Sequence, residues 1–230
     1  MTDLHTHILP GMDDGAKTLE ESLQLLEEQG RQGVNTVALT PHFYGRRETA
    51  ATFLARREAA WTQLLEATQD QAYPELILGA EVAWMPDMAQ WPELESLCYQ
   101  GTKILLVELP MMPWTDSIFR ELYSLEGRRG IIPMIAHLDR YFHVQKKRDI
   151  ERLLEMGYPV QISADALTRF SVKKLALELL ANYDGVLISD CHNLKDRAPN
   201  MENALKIIEK KLGARMRSHI VANTDAVLCD

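Results

Sequence analysis

Eight imidazole and carboxylate side chains recur at one kind of place in this 230-residue sequence, directly after a short apolar run. Leu4 leads to His5 and His7, Thr36–Thr40 to His42, and Leu76–Ala80 to Glu81. Ile104–Val107 leads to Glu108, Ile131–Ala136 to His137, and Val186–Ser189 to Asp190 and His192. Imidazole with carboxylate, and no thiolate pair, suits Mn, Fe, Zn or Ni rather than a structural zinc. His5 and His7 stand two residues apart, as do Asp190 and His192. In an extended strand that spacing puts both side chains on one face, where they can share an ion. One His or Glu at a strand end is ordinarily solvated, or a satisfied core group. Six such ends in one chain point instead to a multinuclear metal site.

For these residues to meet, the strands that carry them must be parallel, with their C-terminal ends converging. The apolar runs are short and amphipathic patterns separate them, as in buried parallel strands alternating with helices. Thr18 and Glu21 form a T-x-x-E capping box that opens a helix. Leu19, Leu23 and Leu26 share its face, and it is expected to end near Gly30 or Gly33. Phe53, Leu54, Trp61, Leu64 and Leu65 mark a second helix, with Arg56 and Arg57 facing out. Further helices are expected around Ile118–Leu125, Ile150–Met156, Val172–Leu179 and Met201–Leu212. With no internal repeat and no low-complexity linker, the pattern predicts one domain over residues 1–230. The expected fold is α/β, a distorted (β/α)7 TIM-like barrel with the metal-type residues at its mouth. A doubly wound open sheet is the alternative, but no GxGxxG follows any strand.

Composition removes several classes. The 25 Lys+Arg against 33 Asp+Glu give a net charge of −8, and no basic block offers a grip on nucleic acid or an anionic membrane. An apolar share of 46% excludes a disordered chain. No stretch approaches the roughly 18 apolar residues of a membrane span, so no insertion is expected. Met1 to Pro10 carries Asp3, His5 and His7 where a signal peptide has a basic region and an apolar core, which makes the cytoplasm the default compartment. Cys98, Cys191 and Cys229 are odd in number and lack CxxC spacing, so no disulfide framework is expected.

The opening stretch Asp3-Leu4-His5-Thr6-His7-Ile8-Leu9-Pro10-Gly11-Met12-Asp13-Asp14-Gly15-Ala16-Lys17 resembles that of the PHP (polymerase and histidinol phosphatase) superfamily. More narrowly, it resembles the manganese-dependent protein-tyrosine phosphatases of bacterial capsule and exopolysaccharide gene clusters. Thr40-Pro41-His42, Gly79-Ala80-Glu81, Ala136-His137 with Arg140-Tyr141, and Ser189-Asp190 with His192-Asn193 extend the likeness over essentially the whole chain. The resemblance implies three divalent ions, manganese foremost, with Fe, Zn, Ni, Co or Mg as other ions such donors accept. Its ligands fall on His5, His7, Asp14, His42, Glu81, Glu108, His137, Asp190 and His192, with Glu81 bridging two ions. Its phosphate-binding arginines fall on Arg140 and Arg197. The implied reaction is hydrolysis of phosphotyrosine by metal-activated water, without a phosphoenzyme. The implied substrate is a bacterial tyrosine autokinase of polysaccharide export.

Two rivals remain at this point: another phosphomonoesterase of the superfamily, such as histidinol-phosphate phosphatase, or a catalytically idle metal-binding regulator of the kinase. Leu138-Asp139 stands where the family usually has Pro-Glu or Ile-Glu, and Thr224 follows Asn223 where proline is usual; neither position is a ligand. Asp139 or His143 is the candidate proton donor to the leaving phenolate. Arg46 and Arg47 follow His42 on a mouth loop, placed to meet an acidic phosphopeptide. Cys191 to Arg197 reads C-x5-R, the spacing of cysteine-dependent tyrosine phosphatases. The residues between contain no glycine for a tight phosphate-wrapping turn, and Asp190 and His192 already belong to the metal set.

Overall fold

Short parallel strands buried on both faces favour apolar side chains; Ile104–Glu108 and Val186–Ile188 fit this, while Thr2–Thr6 and Gln161–Ser163 carry buried polar groups as well. The structure, a computed structural model, describes residues 1–69 and 72–228, so Cys229 lies outside the described residues. Strands β1 (Thr2–Thr6), β2 (Thr36–Leu39) and β4 (Glu75–Leu78) pair in the order β1-β2-β4. A second sheet orders β3 (His42–Phe43), β5 (Glu81–Ala83), β6 (Ile104–Glu108) and β7 (Ile132–Ile135), and β8 (Gln161–Ser163) pairs with β9 (Val186–Ile188). Every pairing is parallel. The α/β class with parallel sheets is therefore as the sequence predicts, with the described strands in three sheets rather than one. Isolated parallel bridges Thr6↔Cys191 and Ile135↔Val160 extend the pairing towards β9 and β8.

Alternation along the strands divides the core in two. Leu105, Val107, Ile135, Ile162 and Leu187 belong to a large cluster shared with helix residues such as Leu25, Phe53, Leu122 and Leu179. Ile104, Leu106, Met134, Ala136, Val186 and Ile188 join Leu4, Ala38 and Tyr99 in a second cluster. One face of the strands thus meets helices, and the other meets strands.

The covering helices are α1 (Leu19–Arg31), α2 (Ala50–Thr68), α3 (Asp116–Arg129), α4 (Lys147–Glu155), α5 (Phe170–Asn182), α6 (Met201–Leu212) and α7 (Ala214–Ala226). Thr18 caps α1 by accepting from the Glu21 amide at 3.2 Å, and the Glu21 carboxylate takes the Lys17 amide rather than that of Thr18. The last helix was not expected as a separate element; Gly213, with φ of +89°, breaks it from α6.

Two departures from the sequence reading matter for the site. The runs leading to His42 and Glu81 are each broken into two short strands, at Thr40-Pro41 and Gly79-Ala80. Proline has no amide to continue the ladder, and a side chain at Gly79 would press on Tyr99 at 3.1 Å and Thr40 at 3.2 Å. After the breaks, His42 and Glu81 become register partners in β3 and β5. The second departure is Arg57, expected on an outer helix face. It is buried, and it donates to the carbonyls of Gly79 and Ser96, each at 2.8 Å. Its guanidinium caps the same Gly79 break, a long-range partner that helical spacing does not reveal.

Candidate metal centre

A bulge in β1 starts the site. Asp3 pairs with Val37 and Thr6 with Leu39, three residues against two. Leu4 stays in the strand-facing core while His5 and His7 bring their Nε2 atoms to 3.1 Å. Glu81 is the hub. Its Oε1 lies 2.7 Å from His137 Nε2, and its Oε2 lies 2.8 Å from His42 Nδ1, 3.2 Å from His5 Nε2 and 3.4 Å from His7 Nε2. Asp190 Oδ1 stands 3.4 Å from His7 Nε2 and 3.6 Å from His192 Nδ1. Asp14 Oδ1 stands 3.5 Å from His42 Nε2 and 3.4 Å from His192 Nε2.

Three groups within this cluster bring their donor atoms within 4.8 Å of one another: His5, His7 and Glu81; His42, Glu81 and Glu108; and His7, Asp14, His42 and His192. Glu81 belongs to two of them. His137 and Asp190 join through their contacts to Glu81 and His7. All nine sequence-predicted ligands therefore come to one place. His137 and Asp190 also hold positive φ, 31° and 54°, which side-chain-bearing residues seldom adopt and which tertiary contacts must hold. Here the His137 carbonyl accepts from the Arg140 amide and the Asp190 amide donates to the His5 carbonyl, both at 2.9 Å.

A second ring of groups aims the ligands. The Gln161 side-chain oxygen lies 2.8 Å from His5 Nδ1, and Asp13 Oδ2 lies 2.7 Å from His7 Nδ1. Asp13 also accepts from the amides of His42 and Gly15, at 2.8 and 2.9 Å. Buried Asp3 accepts from the Ser189 amide at 3.0 Å and from Gln29. Such partners fix imidazole orientation and tautomer. At Gly15 even a methyl group would sit 2.0 Å from the His7 carbonyl oxygen, so this turn admits only glycine. Asp13, Gln161 and Asp3 were not among the sequence candidates, although a glutamine inside an apolar run is a visible signal.

The electrostatics suit cations. Burial pushes His5 down to about 4 against the pull of Glu81, and burial with neighbouring His7 and Arg197 pushes His192 down to about 2. Burial also opposes charge on His7, but Asp13 and Glu81 raise it to about 9. Glu81 overcomes its own burial and is held well below the usual carboxylate range by His5, His42 and His137. Glu108 is pushed up by burial and by Glu81. His42 Nδ1, Glu81 Oε2 and His192 Nε2 are buried without a hydrogen bond of proper geometry among the described residues. Unpaired buried lone pairs are costly, and convergent imidazole and carboxylate donors are satisfied by divalent cations. The residues fit such ions.

Both predicted arginines reach the cluster. Arg140 is ion-paired with Asp190, and Arg197 Nη2 lies 3.1 Å from both Asp190 oxygens while its Nη1 lies 3.4 Å from Asp14. Asp139, one of the two expected proton donors, is buried and bonded to the Ser163 amide and to Arg169. His143 is exposed on the same turn. Cys191 is fully buried beside Gln29, and burial with Asp3 pushes its thiol up to about 12, so it is not a nucleophile. Tyr44 stacks on His42 with ring centroids 5.1 Å apart, and the Arg47 guanidinium lies 4.4 Å over Tyr44. Arg46 is exposed beside it.

The chain is similar to characterised proteins along its length. The CpsB/CapC family of capsular polysaccharide synthesis matches residues 1–229. Tyrosine-protein phosphatase CpsB of Streptococcus agalactiae serotype III (strain NEM316) is 30% identical, over 99% of this chain and 98% of its own. Tyrosine-protein phosphatase YwqE of Bacillus subtilis (strain 168) is 31% identical, over 99% and 91%. A chain from the crystal structures of YwqE from Bacillus subtilis and CpsB from Streptococcus pneumoniae, unique metal-dependent tyrosine phosphatases, superimposes with a TM-score of 0.82 at 27% identity, covering 100% of this chain and 94% of that one. With its strand-end donors, its opening motif and this full-length similarity, the chain belongs to the CpsB/CapC family of capsular polysaccharide synthesis proteins.

Proposed function

We propose that this protein is a metal-dependent protein-tyrosine phosphatase, built as one domain on a distorted (β/α)7 barrel. The observation that carries the proposal is the clustering of nine imidazole and carboxylate groups, Glu81 and Asp190 among them, with two arginines at the same edge. His5, His7, Asp14, His42, Glu81, Glu108, His137, Asp190 and His192 hold three divalent ions, manganese foremost. Bound there, such ions lower the pKa of water and polarise phosphoryl oxygens.

The chain's own part is positioning and charge. Arg140 and Arg197 grip carboxylates in the described structure, and a phosphate dianion offers the same forked partner. Both guanidiniums then take the phosphoryl oxygens and stabilise the charge that shifts among them during transfer. Arg46 and Arg47 meet the substrate from the loop after β3. A phosphotyrosine on a bacterial tyrosine autokinase, in the cytoplasm, is the natural substrate on this reading. No helix among the described residues is long and apolar enough to cross a membrane.

The test is phosphotyrosine-peptide hydrolysis before chelation, after it, and after manganese is restored, with histidinol phosphate in parallel. Phosphotyrosine turnover lost on chelation and regained with manganese is the expected result. Turnover that survives complete metal removal overturns the proposal, as does a strong preference for histidinol phosphate.

A further inference from the structure

Next to the ion-binding cluster, a cavity of about 490 Å³ runs from Asp14 and His42 past Tyr44 to Arg47, Glu48 and Arg56. Its two arginines differ in what holds them. Arg56 donates to Glu48 at 2.7 Å and to the Met12 carbonyl at 2.8 Å, so its forks are occupied by the protein. Arg47 is exposed, and its guanidinium lies 4.4 Å over the Tyr44 ring. Tyr44 in turn is stacked on His42, with 29° between the planes. The order from the cluster outward is imidazole, phenol ring, guanidinium.

A guanidinium is flat and weakly hydrated, and it has two faces on which an aromatic ring can stack. The central carbon of the Arg47 guanidinium stands over the Tyr44 ring. The cavity that Arg47 lines also contains Asp14, which Arg197 contacts at 3.4 Å. Asp14 therefore links the contact made by Arg197 to the cavity that Arg47 lines. On the proposed function, a phosphomonoester bound at Arg197 has this cavity beside it for its alcohol portion.

We infer that Arg47, held over Tyr44, is the stacking surface for the substrate's aryl ring, and that this pair makes the site select aryl over alkyl phosphomonoesters. The inference rests on the phosphatase reading above and adds the chemical feature that the site recognises beyond phosphate. Tyr44 is a positioning residue in this scheme, because it acts by holding the guanidinium.

The test measures direct binding of phenylphosphonate and methylphosphonate to the manganese-loaded protein by calorimetry, which needs no turnover. In wild type, phenylphosphonate binds more tightly. Arg47→Ala and Tyr44→Leu are expected to lower that preference about tenfold, equivalent to about 1.4 kcal/mol. Arg47→Lys keeps the charge but not the flat face, and it is expected to lose the preference too. Tyr44→Phe keeps the ring and is expected to retain it. Using the ratio of the two affinities cancels any effect of Tyr44 on His42. A preference retained in Arg47→Lys reduces the contact to simple charge and overturns the inference, as does one unchanged in every variant. Failure of wild type to hydrolyse phosphotyrosine strikes the functional proposal instead, and the binding ratio still decides the stacking.

Discussion

Replacing Asp13 by asparagine should weaken the metal centre without touching a ligand. Asp13 accepts three hydrogen bonds, from His7 Nδ1 at 2.7 Å, the His42 amide at 2.8 Å and the Gly15 amide at 2.9 Å. All three partners are donors in this arrangement, and an ionised carboxylate is the side chain that only accepts. Asparagine has the same size, but one of its two ends is an NH2 group. Whichever way it turns, at least one of the three donors faces another donor. An orphaned buried donor costs about 1–3 kcal/mol, and the remaining bonds lose their charge assistance. Removal of such an outer partner lowers metal affinity by about 10–100-fold, or about 1.4–2.7 kcal/mol.

The assay is manganese binding by calorimetry, alongside the manganese dependence of phosphotyrosine hydrolysis. Asp13→Asn should need about 10–100 times more manganese for half-activation, yet recover kcat to within a few-fold of wild type at saturation. Unchanged manganese affinity with only a lower unfolding free energy would refute the orienting role. A kcat that no manganese concentration restores would also refute it, because Asp13 would then act on the substrate.

The other expectations are independent of Asp13. Arg140→Ala and Arg197→Ala should each lower kcat by about 10²-fold while leaving manganese affinity within a few-fold, as stopped-time hydrolysis and calorimetry will report. Cys191→Ser should keep turnover within a few-fold, and iodoacetamide should fail to inactivate the native enzyme, because the buried thiol is pushed up to about 12. Arg57→Met should cost about 1–3 kcal/mol in urea unfolding, since the buried Gly79 carbonyl and the part-buried Ser96 carbonyl lose a charged donor; a neutral result would mean that the Gly79 break needs no cap. The chelated protein should lose stability in acid. His5 is lowered in the fold from 6.5 to about 4, so the unfolded chain takes its proton first. That contribution is fully present above about pH 6.5 and disappears on falling to about 4, on the order of 3 kcal/mol. His7, raised to about 9, acts in the opposite sense: its contribution is present below about 6.5 and fades as pH rises to 9. An unfolding midpoint that does not move between pH 6.5 and 4 contradicts the burial of a neutral His5.

The candidate ligands were legible because parallel strands put functional groups at a fixed place, the end of an apolar run, and runs are visible in one dimension. The runs Thr36–Thr40 and Val186–Ser189 appear in the structure as strands Thr36–Leu39 and Val186–Ile188, one residue shorter at the end that leads to the site. What could not be read depends on contacts between distant residues. Helical spacing put Arg57 outside, but the carbonyls of Gly79 and Ser96 hold it inside. Adjacent Asp13 and Asp14 look alike in sequence. In the fold Asp13 turns back to the His7 ring, while Asp14 faces His42 and His192. Asp139 looked like an acid available to substrate until Arg169, thirty residues away, proved to hold it.

Charge placement shows how the two halves of the site divide their work. Glu81 and Glu108 are surrounded by imidazoles, with His137 Nε2 at 2.7 and 3.8 Å. Asp190 and Asp14 face the arginines as well as imidazoles. One edge of the cluster is therefore built for cations alone, and the other is built for cations next to an anion. The net charge of −8 conceals this, because it sums over the surface. Asp14 lies on the arginine edge and also borders the cavity of Tyr44 and Arg47. On the proposed function, a phosphoryl group on that edge would have Arg197 at hand and the cavity lined by Arg47 beside it. An anionic substrate would then be oriented by cations the chain supplies, with its aryl end in the cavity of Tyr44 and Arg47.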